Sequence, residues 1–263
     1  MRIALSIAGS DPTGGAGLQA DLQVFRTLGV HGAGVVTALT VQDSGRVHQV
    51  LPVFPTVVLD QIRVLVADVR PHAVKLGMLA SDDVARNVEL GLLALDAGTP
   101  PPLVIDPVLE ASDGTPLLER RAIGTLERLI GMAALVTPNL QEAATLTGCD
   151  VSTQEGVEAA ACALVSNLGA GAALVKGGHR DGPPDDLLVI RDGGSQALHW
   201  LEGQRIDTGP VHGTGCALAA AITAYLARGD TLPTAVERGR RFVAKALESS
   251  AEAGKLARFL GYF

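Results

Sequence analysis

Residues 2–28 read RIALSIAGSDPTGGAGLQADLQVFRTL, and this stretch indicates how the chain folds. Its first part, residues 2–8, is a short and largely apolar run that predicts a buried strand. Residues 15–28 predict a helix, and the connection over residues 9–17 holds four glycines. A strand, a glycine-rich loop and a helix in this order are typical of the opening unit of an α/β sheet.

The same alternation continues along the chain and predicts parallel strands covered by helices on both faces. The further predicted strands are residues 33–40, 73–76, 103–106, 135–137 and 172–176. The further predicted helices are residues 56–69, 81–95, 116–130, 140–147, 153–168, 214–227 and 232–250. Residues 187–206, interrupted by Gly193-Gly194, predict an antiparallel hairpin at the edge of the sheet. Since no repeat or linker divides the sequence, we expect one domain over residues 1–263.

Composition argues against several classes of function. The chain carries a net charge of −7, and its longest basic run is Arg240-Arg241, so a nucleic-acid partner is not expected. The longest apolar stretch, residues 216–227, is too short to span a membrane, and residues 1–15 lack the pattern of a signal peptide. Three cysteines without CxxC spacing favour a reduced compartment. We therefore expect a cytoplasmic protein that binds neither nucleic acid nor a membrane.

Polar and glycine-rich segments follow most of the predicted strands directly. Because ligands of open α/β sheets bind at the carboxyl ends of the strands, these segments predict one binding site along that edge. The segments are residues 9–17, 41–45, 77–79, 106–108, 137–143 and 176–179.

The loop over residues 9–17 permits more than one interpretation. Bare backbone at the start of a helix suits the close approach of an anionic ligand. Residues 15–20, GAGLQA, also match a dinucleotide-binding pattern, with Asp43 following after the second strand. The loop before Gly15 is longer than the tight turn of that motif, and a loop that only turns the chain is a further alternative.

A second candidate phosphate site lies at residues 212–216, HGTGC, ahead of an alanine-rich helix. Gly213, Thr214 and Gly215 would form a nest of backbone N–H groups at the positive end of the helix dipole. Cys216, in the first turn of this helix, is expected to have a lowered pKa. The alternative is that Cys216 is a small buried residue and that the glycines make an ordinary turn.

Further candidates lie at the ends of two other strands. Lys176 leaves its strand beside Gly177-Gly178 and would point into the cleft, or else into solvent. Asn139 and Glu142 share one face at the start of a helix. They could hold Mg²⁺ through water, since Mg²⁺ prefers oxygen ligands and keeps much of its hydration, or Asn139 could simply cap the helix. The histidine spacing does not support a zinc site.

Taken together, these residues resemble the ribokinase superfamily, and within it the hydroxymethylpyrimidine/phosphomethylpyrimidine kinases. The cysteine after Gly-Thr-Gly, where sugar kinases of the superfamily carry Asp, is similar to the pyrimidine kinases and certain pyridoxal kinases. Eight ordered segments carry the resemblance: residues 8–25, 37–43, 74–79, 104–108, 113–118, 136–143, 175–179 and 212–222.

The resemblance implies a three-layer α/β/α fold with a mostly parallel central sheet and a small antiparallel edge hairpin. It also implies a homodimer that uses ATP and Mg²⁺ to phosphorylate 4-amino-5-hydroxymethyl-2-methylpyrimidine and then its monophosphate. The implied pyrimidine-binding residues are Gly9, Asp21, Gln42 and Met78. The implied phosphate-transfer residues are Lys176, Gly213, Thr214, Gly215 and Cys216. The implied magnesium-binding residues are Asp106, Asn139 and Glu142.

The sequence departs from the family pattern around the expected site. Asp43 adds a carboxylate. In the stretch that begins Glu110-Ala111, Ser112 stands where a lysine is common, and Gly209-Pro210-Val211 replace a lysine-containing run. The usual glycine- and proline-rich tail is absent. With fewer cations, we expect the second phosphorylation to be weaker than the first, unless Arg180 and Arg240 reach the cleft. A pyridoxal or pyridoxine kinase, and a non-catalytic nucleotide- or metabolite-binding protein, are the alternatives.

Overall fold

The computed structural model describes residues 1–95, 99–178 and 183–262, and within these ranges nine strands form one sheet. The strands are β1 (Ile3–Ser10), β2 (His31–Gln42), β3 (Val47–Pro52), β4 (Ala73–Leu76), β5 (Leu103–Ile105), β6 (Leu135–Val136), β7 (Ala172–Val175), β8 (Asp186–Asp192) and β9 (Ser195–Leu201). Their order across the sheet is β3-β2-β1-β4-β5-β6-β7-β8-β9. The strands from β2 to β7 in this order are parallel, whereas β3 at one edge and β8 and β9 at the other pair antiparallel.

Helices cover both faces of this sheet. They are α1 (Gly17–Thr27), α2 (Pro55–Asp68), α3 (Asp82–Leu93), α4 (Ile123–Gly131), α5 (Leu140–Thr147), α6 (Gln154–Ser166), α7 (Thr214–Arg228) and α8 (Leu232–Glu248). Helices α2 to α6 pack on one face and α1, α7 and α8 on the other, each layer with its own apolar core. β4 and β7 are buried at every position because both faces are covered. The fold is therefore the three-layer α/β/α arrangement that the resemblance implied.

The alanine-rich composition of α7 positions the site. Small side chains along this helix allow it to pack closely on β1, β4 and β5, and most of its residues are buried. Its first turn consequently lies at the carboxyl ends of the central strands. Among the described residues, no helix is both long and apolar enough to cross a membrane.

The structure differs from the sequence-based expectations where long-range pairing decides the backbone. Residues 116–119 were predicted as helix, but Pro116 bridges Glu110 and Leu118 bridges Ala80, so that a 3₁₀ turn at Arg120–Ala122 leads into α4. The predicted hairpin is shorter than expected and ends at Leu201. β3 was not predicted.

A small second sheet was also not predicted. It consists of β10 (Val211–His212), β11 (Ala251–Glu252) and β12 (Arg258–Phe259), in the order β10-β12-β11. β12 runs parallel to β10, directly ahead of α7, and antiparallel to β11. The segment after α8 therefore returns to the carboxyl-end edge of the main sheet.

Candidate active site

A cavity of about 960 Å³ lies at the carboxyl ends of the parallel strands, where the sequence predicted a site. The sequence-predicted residues that line it are Gly9, Gln42, Met78, Asp106, Asn139, Glu142, Lys176, Gly213, Thr214, Gly215 and Cys216. Asp21 lies outside this lining. Two residues that the sequence analysis considered, His179 of the 175–179 segment and Arg180, lie outside the described residues.

The loop after β1 folds around the side chain of Asp11. The Asp11 carboxylate accepts hydrogen bonds from the backbone N–H groups of Thr13 at 2.8 Å and Ala16 at 2.9 Å, and His212 Nε2 lies 2.9 Å away. Burial opposes ionisation, but hydrogen bonds from His212, Gln42 and Thr13 outweigh it and lower the pKa of Asp11 to about 2. N–H groups that a pyrophosphate would need are thus already engaged. This arrangement argues against the dinucleotide interpretation of the loop.

The loop before α7 has the backbone that its glycines allow. Gly213 has φ +84°, and a Cβ there would collide with the carbonyl oxygen of Gly15. In the described ranges, no side chain caps α7. Because N–H groups in the first turn of a helix have no intrahelical acceptor, the turn that begins at Thr214 is open to bind an anion.

Lys176 lies beside this open turn. A Cβ on Gly215 would stand 3.2 Å from Lys176 Nζ, so the glycine lets the ammonium group approach the helix. Lys176 Nζ donates to Asp106 Oδ1 at 2.9 Å, and Thr137 Oγ1 lies 3.3 Å from the same oxygen. Burial disfavours both charges, but the Asp106 carboxylate keeps the pKa of Lys176 above its ordinary value. The solvated alternative for Lys176 is excluded, since its side chain is 16% exposed.

Asn139 and Glu142 form a reciprocal cap at the start of α5. Asn139 Oδ1 accepts from the Glu142 N–H at 2.8 Å, and Glu142 Oε2 accepts from the Asn139 N–H at 2.7 Å. The capping alternative therefore holds, although both residues also line the cavity. Burial, with a contribution from Asp106, raises the pKa of Glu142 to about 7. Lys176 opposes this rise, and a bound cation would favour the ionised form further.

The carboxylates fit a magnesium ion that keeps most of its water. Within residues 1–95, 99–178 and 183–262, no group of three or more His, Cys, Asp or Glu side chains is arranged as a metal cluster. Mg²⁺ in nucleotide sites needs only one or two carboxylates together with water and phosphate oxygens. Asp106 and Glu142 would supply these carboxylates. Glu142 also accepts hydrogen bonds from the backbone N–H groups of Asn139 and Leu109, and Asn139 Oδ1 accepts one within the cap.

The expectation of a low pKa for Cys216 is wrong. Burial raises the pKa of the thiol to about 11, and the carboxylates of Asp106 and Asp21 add to the rise, although Lys75 opposes it. These opposing groups outweigh the favourable end of the α7 dipole. Cys216 is therefore a protonated thiol at neutral pH in this structure.

Asp21, which the resemblance implied as a pyrimidine ligand, is fully buried beneath the cavity. It accepts hydrogen bonds from Lys75 Nζ at 2.8 and 3.0 Å and from Ser6 Oγ at 2.5 Å. Burial disfavours the ammonium group, but Asp21 and Asp106 outweigh it and raise the pKa of Lys75. Lys75 lines the cavity and Asp21 does not. Asp21 is thus held by Lys75 in this structure, and both side chains are fully buried, with Lys75 the one that borders the cavity. The expected direct contact of Asp21 with the ring is not seen in this arrangement.

Sequence reasoning did not assign Lys75 a role, although a signal was present. Lys75 is a single charged residue in an apolar strand whose four positions are all buried. A charge in such a strand requires a partner, which indicates a second charged group nearby. A Cβ on Gly77 would lie 2.9 Å from Lys75 Nζ, so this glycine leaves room for the ammonium group.

Gly9, Gln42 and Met78 line the cavity together with Lys75, and we call their location the Met78 end. A Cβ on Gly9 would stand 2.7 Å from Met78 Sδ, so Gly9 allows the thioether to pack against the end of β1. Thr37 Oγ1 donates to the Met78 carbonyl at 2.6 Å and fixes that backbone. An apolar wall beside an amide side chain suits a flat ring with polar edges.

The open first turn of α7, with Lys176 beside it and the Met78 end in the same cavity, is suited to binding and transfer of a phosphate group. Solved structures with the same fold are ribokinase-like kinases of small molecules. The phosphomethylpyrimidine kinase of Clostridium difficile 630 superimposes with a TM-score of 0.80 and 33% identity, over 94% of this chain and 100% of that one. The ADP complex of Bacillus subtilis pyridoxal kinase superimposes with a TM-score of 0.85 and 31% identity, over 100% of this chain and 97% of that one. The class is therefore a ribokinase-like phosphotransferase.

Residues 11–260 match the family described as phosphomethylpyrimidine kinase. The hydroxymethylpyrimidine/phosphomethylpyrimidine kinase of Streptomyces coelicolor is 41% identical, over 93% of this chain and 88% of that protein. The enzyme of the same name from Mycobacterium leprae is 42% identical, over 95% and 90%. The chain belongs to the phosphomethylpyrimidine kinase family. Membership in a kinase family argues against the non-catalytic binding protein.

Proposed function

We propose that this protein transfers the γ-phosphate of ATP to the hydroxymethyl group of 4-amino-5-hydroxymethyl-2-methylpyrimidine, and then to its monophosphate, in thiamine biosynthesis or salvage. The observation that supports this proposal most is the uncapped first turn of α7 with Lys176 beside it, at a cavity that also holds Gln42 and Met78. The relatives named for this activity align over most of their length.

Phosphate transfer in such a site depends mainly on alignment and on charge neutralisation. The N–H groups of Thr214, Gly215 and Cys216 receive the charge that develops on the transferred group. Lys176 has three N–H donors, so it can keep its bond to Asp106 and still donate to a phosphate oxygen. Asp106 and Glu142 would hold Mg²⁺, which supplies further neutralisation of the phosphates when bound.

Cys216 orients the attacking hydroxyl group in this proposal. A thiol with a pKa of about 11 is a poor base at neutral pH, and a loose transition state requires little proton removal before transfer. The hydroxyl proton therefore leaves late, to a phosphate oxygen. This favours the orienting role of Cys216 over the proton-accepting one.

The acceptor ring occupies the Met78 end. The Gln42 amide offers two donors and one acceptor to the polar edge of an aminopyrimidine, while Met78 covers its apolar face. Lys75, held by Asp21, places a fixed positive charge beneath the same space, although both side chains are fully buried. Gly9 keeps the backbone close to the ring.

Release of ADP with hydroxymethylpyrimidine, its monophosphate, pyridoxal and ribose as acceptors tests this function. We expect the highest kcat/KM with the pyrimidine, and a loss of about 10²-fold or more in Lys176→Ala. Lys245→Ala, which removes an exposed lysine outside the cavity lining, is the matched control and should keep full activity. Absence of turnover with both pyrimidines in the unmodified chain would refute the proposal.

We expect the second phosphorylation to be weaker than the first. The monophosphate adds about two negative charges next to ATP, and one missing cation at ~4 Å is worth about 4 kcal/mol at an effective dielectric of ~20, before screening. Arg240 does line the cavity, but much of its charge is met within the protein, since its guanidinium contacts Asp186 at 2.7 Å and two carbonyl oxygens at 2.9 Å. A hydrogen bond with His48 helps to lower the pKa of Asp43 to about 2, so its charge persists. Equal or higher kcat/KM for the monophosphate at matched low salt would overturn this expectation.

Pyridoxal phosphorylation is the second candidate function, and the TM-score of 0.85 to the Bacillus subtilis pyridoxal kinase favours it. A Staphylococcus aureus pyridoxal kinase, solved with AMP-PCP and pyridoxal, also superimposes with a TM-score of 0.82 and 29% identity. The same first turn of α7 would serve either ring. A higher kcat/KM for pyridoxal than for the pyrimidine in the same assay would select this alternative.

We also propose that the protein acts in the cytoplasm as a homodimer. Its three cysteines are free thiols, which supports a reduced compartment. Leu39, Val41 and Leu51 lie near the β3 edge of the sheet, with Leu39 paired to Leu51, and all three are exposed. A self-complementary contact would cover them. Light scattering should give twice the monomer mass, and Val41→Glu should reduce it to the monomer.

A further inference from the structure

The chain after α8 returns across the carboxyl-end edge of the sheet, and we call residues 251–259 the strap. Its β12 strand is anchored on β10, where the Arg258 N–H donates to the Pro210 carbonyl at 3.0 Å. The Phe259 ring lies 6.2 Å from the His212 ring, between centroids. Beyond the strap, the Gly261 N–H donates to the Ala246 carbonyl at 3.0 Å. The strap is thus held at β10 and its continuation at α8.

Ahead of both anchors in the chain, the strap contacts the connection between β2 and β3. The Leu256 N–H donates to Ser44 Oγ at 3.2 Å, and the Leu256 side chain lies directly against Gly45. A Cβ on Gly45 would collide with Leu256, and a Cβ on Gly254 would collide with Ser44. The close contact between the strap and this connection therefore requires that Gly45 and Gly254 have no side chain. The connection also bears Asp43 and follows Gln42, the amide at the Met78 end.

Leu256 and Ala257 line the cavity together with Gln42 and Ser44. Leu256 nevertheless keeps 63% of its surface exposed, although its backbone is bonded and one face of its side chain is packed. An apolar side chain held in this way at a cavity wall offers its remaining surface to a bound ligand. A flat ring in the Met78 end provides an apolar face of that kind.

We propose that the strap forms the outer wall of the acceptor site and that Leu256 is a specificity-determining residue that packs on the acceptor ring. This inference rests on the proposed function, since that function assigns the acceptor to the Met78 end. The strap excludes water from the ring, and its contact with Ser44 couples its position to the segment that bears Gln42. ATP binds at α7 and Lys176, so its affinity is independent of Leu256.

The first test compares Leu256→Ala with Leu93→Ala, a matched control on the exposed surface of α3, where the leucine is 53% exposed and outside the cavity lining. We expect the acceptor KM to rise about 5- to 20-fold in Leu256→Ala, because a pocket loses apolar contact with the ring. The KM for ATP and the melting temperature should stay unchanged. If Leu256 had only a structural role, its loss would lower the melting temperature and would not affect the acceptor KM selectively. Ser44→Ala, which removes the acceptor of the strap hydrogen bond, should change the acceptor KM in the same direction.

The second test does not require turnover. Trypsin cleaves after Lys255 and Arg258, which are both in the strap, and mass spectrometry follows each cut. Saturating 4-amino-5-hydroxymethyl-2-methylpyrimidine should slow these cuts about fivefold or more, because ring contact holds the strap closed, whereas ATP alone should not. Strap cleavage that the pyrimidine leaves unchanged would overturn the proposal, as would an unchanged acceptor KM in Leu256→Ala. Failure of the proposed function would instead appear as an unmodified chain that turns over neither pyrimidine.

Discussion

Replacement of Lys75 by methionine should destabilise the protein strongly, because it leaves the Asp21 carboxylate buried without a countercharge. Both side chains are fully buried, and Lys75 Nζ lies 2.8 and 3.0 Å from the two Asp21 oxygens. Loss of one partner from a buried ion pair destabilises a protein by about 3–5 kcal/mol. For a chain of 263 residues, an unfolding entropy of about 2.1 cal/mol/K per residue converts this loss into a fall of roughly 5–9 °C in Tm.

Thermal unfolding of four chains measures this effect: the unmodified protein, Lys75→Met, Asp21→Asn and the double variant. Each single variant should lower Tm, and the double variant should recover at least half of the loss, because it removes both charges together. Lys245→Met, at an exposed lysine, is the matched control and should shift Tm by less than about 1 °C.

The same variants separate the two roles considered for Asp21. If Asp21 holds Lys75, Asp21→Asn should reduce stability first, and calorimetry should show loss of pyrimidine affinity in Lys75→Met as well. If Asp21 contacted the ring itself, its loss would lower binding by roughly 1–3 kcal/mol with little change in Tm. A stable Asp21→Asn protein that has lost pyrimidine affinity would refute the reasoning from the buried pair.

Three further variants test the phosphate end of the cavity. Gly213→Ala should reduce kcat by about 10²-fold and lower Tm, since a Cβ collides with the Gly15 carbonyl at φ +84°; full turnover would exclude the N–H nest. Cys216→Ala should lower kcat by about 10²-fold with a modest change in acceptor KM. Iodoacetamide should alkylate Cys216 slowly at pH 7 and faster as pH approaches 11; fast reaction at pH 7 would contradict the raised pKa. In the native state the pKa of Glu142 is raised from 4.5 to about 7, so between these two pH values the folded protein holds a proton that the unfolded chain has lost. The stability that this proton provides is fully present below pH 4.5 and is lost as the pH rises to about 7. In urea unfolding, Glu142→Gln should flatten the pH dependence of the unfolding free energy. The apparent Mg²⁺ affinity should weaken below pH 7 in the unmodified chain only. An equal pH dependence of stability in both proteins would count against Glu142.

Local sequence patterns were sufficient for most of the framework. β4 over residues 73–76 and α5 over residues 140–147 have the predicted bounds, because a short run that is apolar apart from Lys75 and a capping pair are both properties of neighbouring residues. Residues 116–119 were wrongly predicted as helix, and the second sheet was not predicted. Their backbone is set by partners distant in the chain, such as Ala80 for Leu118 and Val211 for Arg258.

The candidate site divides in the same way. Glycine spacing and the ends of apolar runs are visible in the sequence, and they were sufficient to predict Lys176 at the carboxyl-end edge and a separate phosphate site at Gly213–Cys216. The resemblance to the kinase family then joined the two. The pKa of Cys216 and the partner of Asp21 were not visible, because each depends on charges from several elements that meet only in the folded chain.

By itself, the sequence determined the three-layer α/β/α class, the edge of the sheet that bears the site, and the family to which the chain belongs. Only the tertiary structure decided that Asp21 supports Lys75 from below the cavity and that Leu256 lies against Gly45 at its wall. The physical reason is one of range. Backbone periodicity and turn chemistry act between near neighbours, whereas desolvation, ion pairing and cavity shape arise from groups that the sheet brings together across the whole chain.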